Sequence, residues 1–72
     1  MQDTILIFRT SITTRLDLKK IEMLFVQYPQ IHTWSVDLED WEKVLRIECS
    51  DLTPDTIMNA LRTISVYAVE ME

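Results

Sequence analysis

The residues best placed to do chemistry are Ser11, Thr13, Thr14 and Asp17, which follow one apolar run and precede an amphipathic one. A strand that empties through a short loop into a helix presents free backbone N–H groups and the positive end of the helix dipole, a setting that favours anions. Thr14-x-x-Asp17 also has the spacing of a capping box. The Thr14 hydroxyl accepts from the amide of residue 17, and the Asp17 carboxylate accepts from the amide of Thr14. That arrangement commits both side chains to the helix, and no neighbouring residue completes a coordination shell. We therefore read the pair as a cap and not as a hard-cation site.

Other ligands and nucleophiles are sparse. Cys49 is the sole cysteine and His32 the sole histidine, which excludes an internal disulfide and a cysteine-rich metal site. Cys49 follows Leu45 and Ile47 in an alternating run and reads as a small buried hydrophobe, with the negative neighbours Glu48 and Asp51 opposing thiolate formation. His32 falls at the end of the face that carries Trp34 and reads as an edge histidine. Asp37, Glu39, Asp40 and Glu42 have the charge for Ca²⁺ but lack the glycine-bearing loop of a dedicated site, so they read as a solvated hairpin turn. Met1, Met23, Met58 and Met71 have no regular spacing that would suit copper. Nothing marks Ser11 and His32 as neighbours, and with no recognisable nucleophile–base pair the chain is not read as an enzyme.

The totals narrow the function further. Seventy-two residues make one small domain, 1–72, with a modest core, a size at which pairing with a second chain adds stability. There is no glycine, which argues against a phosphate-cradling loop. A net charge of −5 disfavours nucleic acid, whose binding rests on Lys and Arg neutralising phosphates. The positive charge is nevertheless local: Arg9, Arg15, Lys19 and Lys20 fall together around the loop. No signal peptide is visible and no apolar run approaches the ~20 residues of a membrane span. A cytoplasmic protein with no membrane insertion is expected.

The elements that position these residues follow from periodicity. Thr4–Phe8 is a short, branched, apolar run, the pattern of a strand buried from both sides. Leu18, Ile21, Leu24, Phe25 and Tyr28 recur at helical spacing after the capping box, and Pro29 ends that helix at Tyr28. Ile31–Asp40 alternates, with His32, Trp34, Val36 and Leu38 on one face. Lys43–Cys49 alternates again after a polar turn, which makes an antiparallel hairpin. Thr53-Pro54-Asp55 is a helix start, with Ile57, Ala60, Leu61 and Ile64 along one face. Ser65–Met71 completes the chain as a strand. The order βαββαβ, with right-handed crossovers, specifies an α+β ferredoxin-like sandwich: a four-stranded antiparallel sheet with two helices on one face. With Leu6, Phe8, Val36 and Val66 directed inward, Ile5, Ile7, Val44, Tyr67 and Val69 fall on the outer face. A contiguous apolar patch there implies docking of a partner, or a homodimer.

The chain resembles the heavy-metal-associated domains of copper chaperones and metal-pumping ATPases over nearly its whole length. Phe8-Arg9-Thr10-Ser11-Ile12 is similar to the strand and hydrophobic loop residue before that family's metal motif. Leu24-Phe25-x-x-Tyr28-Pro29-x-Ile31 resembles the end of its first helix. Trp34–Leu38 and Lys43-Val44-Leu45-x-Ile47 resemble its hairpin strands, and Thr53-Pro54-Asp55-x-Ile57-x-x-Ala60-Leu61 its second helix. The resemblance implies Cu(I) or Zn(II) held by a Cys-x-x-Cys pair, but Thr14 and Asp17 stand at those positions. A hydroxyl and a single carboxylate do not replace two soft thiolates, so no metal and no cofactor are expected. In the family the surface corresponding to Arg9, Arg15, Lys19 and Lys20 docks an acidic partner domain, and retention of docking without cargo is the matching expectation. The chain thus reads as a small non-catalytic interaction module that has lost its metal ligands. The alternative is a metal-handling accessory protein with a weak or intersubunit site, and an unrecognised enzyme comes third.

Overall fold

The computed structural model describes residues 3–71. Six elements follow one another: β1 (Asp3–Thr10), α1 (Arg15–Phe25), β2 (Ile31–Asp37), β3 (Val44–Ser50), α2 (Pro54–Arg62) and β4 (Ala68–Glu70). The strands form one sheet in the order β2-β3-β1-β4, with every neighbouring pair antiparallel. This is the α+β ferredoxin-like arrangement that the element order specifies.

Strand alternation builds the core. Leu6 and Phe8 of β1 lie opposite Ile47 and Leu45 of β3, and all four are buried together with Ile12, Ile21, Phe25, Cys49, Ile57, Leu61 and Val66. Burial of this apolar surface against the helices is the main favourable term in a domain of this size. Val36 and Ala68 pack at the margin of the core.

Strand β1 runs Asp3–Thr10 rather than Thr4–Phe8 and is buried on one face only, and three further element boundaries differ from the periodic reading for a local reason. Helix α1 ends at Phe25, not Tyr28. Beyond it the Gln27 and Tyr28 amides bond back only three residues, to Leu24 and Phe25, so the chain tightens before Pro29. Strand β2 stops at Asp37, not Asp40, because the Asp37 carboxylate accepts the amides of Glu39 and Asp40 at 3.1 and 3.2 Å and turns the chain. Strand β4 is three residues long instead of running from Ser65. Ser65 has φ 62°, its amide bonds Arg62 O, and the Val66 amide bonds Leu61 O. This pair of bonds is a Schellman turn, with serine where glycine usually stands.

Candidate functional site

The loop before α1 is occupied by its own hydrogen bonds. Thr14 is the N-cap, and its hydroxyl accepts from the Asp17 amide at 3.2 Å. In return, Asp17 Oδ2 accepts the amides of Thr13 at 3.0 Å and Thr14 at 3.3 Å. The Thr13 hydroxyl donates to the same oxygen at 3.4 Å. The Thr13 amide leads in holding the Asp17 carboxyl below its ordinary pKa. Slight desolvation opposes it, while the Thr14 amide, the Thr13 hydroxyl and Lys20 add to it. An oxygen engaged three times by donors has little to offer a cation.

Ile12, fully buried, anchors the loop from below. Ser11 exchanges bonds with Tyr67, amide to carbonyl at 2.9 Å and Tyr67 amide to Ser11 Oγ at 3.0 Å. The Thr10 hydroxyl bonds Lys43 O at 2.6 Å. The loop is therefore tied to the β2–β3 turn on one side and to the approach to β4 on the other. Among the described residues no group of three or more His, Cys, Asp or Glu side chains is placed to hold a metal ion. Met1 lies outside the described residues.

The outer face of the sheet can be mapped from the registers. Ser35, Arg46 and Ile7 form one row across β2, β3 and β1, and Thr33, Glu48 and Ile5 the next. Arg9 lies opposite Val69. Ile5 and Ile7 are 49% and 38% exposed, Val69 and Tyr67 60% and 64%, while Val44 is half-buried. The apolar residues thus centre on β1 and β4. Charge borders them as ion pairs, Arg9 with the half-buried Glu42 and Arg46 with Glu48, both at 3.8 Å. Arg9 belongs to this face, whereas Arg15, Lys19 and Lys20 are exposed on α1 across the sheet. The four basic residues are thereby divided between two surfaces.

A polar cluster that periodicity did not reveal sits at the opposite end of the sheet from the loop. The Ser50 hydroxyl donates to Asp3 Oδ1 at 3.0 Å. His32 Nε2 lies 2.7 Å from the same Ser50 Oγ, within hydrogen-bond distance. His32 Nε2 and Asp3 Oδ1 are 3.4 Å apart. The cluster links β1, β3 and β2 as a clamp.

The parity assigned to His32 is corrected by a β-bulge. Ile31 opposes Cys49 and Thr33 opposes Glu48, which leaves His32 as the extra residue. Ile31 and Trp34 both pack on the core, while His32 turns toward Ser50. A bulge re-aims one side chain and shifts the alternation beyond it. The proximity of His32 to Ile31, without a turn residue between them, carries no sequence signal of this.

The remaining candidates are accounted for locally. Cys49 is buried, and desolvation pushes its thiol pKa up, with Asp3 rather than Glu48 or Asp51 supplying the negative charge that adds to it. Asp37 and Asp40 spend carboxylate oxygens on turn amides. Trp41 stands 87% exposed at the tip. A shallow groove of about 240 Å³ runs between α1 and the edge strand β2, lined by Glu22, Phe25, Val26, Ile31, His32 and Trp34. Among the described residues no helix is long and apolar enough to cross a membrane. Comparison with protein-family models and with curated proteins finds no match to this chain.

Proposed function

We propose that this chain is a cytoplasmic interaction module of the heavy-metal-associated fold, without metal cargo, that docks a second copy of itself through the open face of its sheet. The observation carrying this reading is the exposure of Ile5, Ile7, Val69 and Tyr67 on the side away from the helices. An antiparallel sheet with one solvated face ordinarily alternates to polar residues there, and a contiguous apolar patch with a charged border is the make-up of a contact surface. The loss of a metal role is supported by the capping loop: the positions that resemble the family's ligands, Thr14 and Asp17, serve the helix.

Sedimentation velocity at low micromolar concentration tests the docking face. Wild type is expected to associate, and Ile7→Lys, which places a charge in the middle of the patch at a position already 38% exposed, to weaken that association without unfolding the chain. Identical sedimentation of the two proteins refutes the proposed face.

A further inference from the structure

The sheet has two edges of different character. Edge strand β4 is three residues long, whereas edge strand β2 runs seven residues, Ile31–Asp37. Folded proteins protect exposed edges with short strands, lysine, proline or inward-pointing charge. β4 is protected by its shortness. Within β2 the sequence Ile31-His32-Thr33-Trp34-Ser35-Val36-Asp37 has no lysine, arginine or proline, and its bulge is confined to the first residues.

The helix beside this edge carries a self-complementary stripe. Arg15, Lys19, Glu22 and Val26 recur at i, i+4, i+7 and i+11, which places them along one side of α1. Glu22 and Val26 line the groove against His32 and Trp34, so this is the side that overhangs β2. Val26 is 80% exposed. Among the described residues Arg15, Lys19 and Glu22 enter no ion pair.

We infer that a second copy of this chain adds to the sheet at β2, antiparallel about a two-fold axis through Trp34, giving a continuous eight-stranded sheet. Pairing about Trp34 sets Thr33 opposite Ser35 on the outer face, and because the bulge at Ile31–Thr33 confines the regular ladder to these residues, no like charges meet within it. The two Trp34 side chains become cross-strand neighbours on the helix side, each already edge-on to Phe25 at 5.5 Å. The two α1 helices then run antiparallel across the junction, with Lys19 of one copy beside Glu22 of the other and the Val26 side chains covered. A two-fold contact requires a surface complementary to itself, and the basic-then-acidic order along α1 supplies it. The contact uses no residue of the apolar patch, so a pair joined at β2 presents two open faces on one side of a single sheet.

The test is sedimentation velocity in the Ile7→Lys background, from low micromolar to millimolar protein, so that the open face does not contribute. A concentration-dependent dimer is expected. Adding Glu22→Lys sets like charges against each other twice and weakens the dimer by about tenfold. Adding Lys19→Glu to that variant restores opposite charges and recovers the affinity. All three substitutions are at exposed positions, and circular dichroism checks that each variant is folded. A monomer throughout the range, or a dimer indifferent to the charge reversal, or one that the swap does not rescue, overturns the β2 pairing. Failure of the open-face reading appears separately, as identical behaviour of wild type and Ile7→Lys.

Discussion

Asp17, half-buried, orders the loop before α1. One carboxylate oxygen ties down two amides and a hydroxyl at the point where the family resemblance would put a thiolate. Its pKa is lowered in the folded chain, so the stability it contributes is fully present above the unfolded-state aspartate value and is lost as pH falls through the folded value. Denaturation of wild type and Asp17→Asn is therefore expected to diverge above about pH 4 and to converge in acid. A constant gap across that range would separate the effect from ionisation. Thr14→Ala removes the reciprocal acceptor and is expected to lower stability by about 1 kcal/mol, read from the urea midpoint. Both residues were legible in sequence, because a capping box is a matter of spacing within one helical turn. The Asp3–Ser50–His32 clamp was not, since its members are 18 and 47 positions apart and meet only through strand register and a bulge.

At the scale of elements, the way this chain turns without glycine accounts for where its strands and helices stop. Lys43, Asp51 and Ser65 adopt positive φ, at 50°, 59° and 62°, a conformation that crowds Cβ against the backbone in any residue that has one. Ser65 closes the Schellman turn after α2, and its side chain has no part in the two bonds that define that turn. Ser65→Gly is expected to raise stability by roughly 0.5–1 kcal/mol, the relief of that crowding less the added freedom of the unfolded chain. An unchanged or lower urea midpoint would show that the turn is not strained. Helix starts were readable because Thr14 and Thr53 are caps with a side-chain signature. Helix and strand ends were less so. Asp37 ends β2 through its carboxylate's bonds to two turn amides and Ser65 delays β4 through its left-handed backbone, and alternation of apolar residues encodes neither.

For the whole molecule, element order and right-handed crossovers were enough to specify the sheet, and inward parity then identified Leu6, Phe8, Leu45, Ile47 and Val66 as buried. The candidate contact surfaces were half legible. Parity located the exposed Ile5, Ile7 and Val69, but the groove beside β2 depends on how α1 lies over the edge strand, a tertiary relation with no local pattern. The two surfaces lie at right angles, one across the sheet and one along its rim. The proposed β2 contact would add sheet to sheet in a plane, and the proposed open-face contact would stack layers. Ile7→Lys and the Glu22 charge reversal therefore test the two proposed contacts separately.

The chain's two indoles occupy contrasting places, and this makes the protein its own optical gauge. Trp41, bathed in water at the tip of the hairpin, emits alike whether the chain is folded or not, so any blue-shifted component of the native spectrum belongs to Trp34. Collisional quenching by iodide should accordingly extinguish the red component first, and the surviving light reports from the rim strand alone.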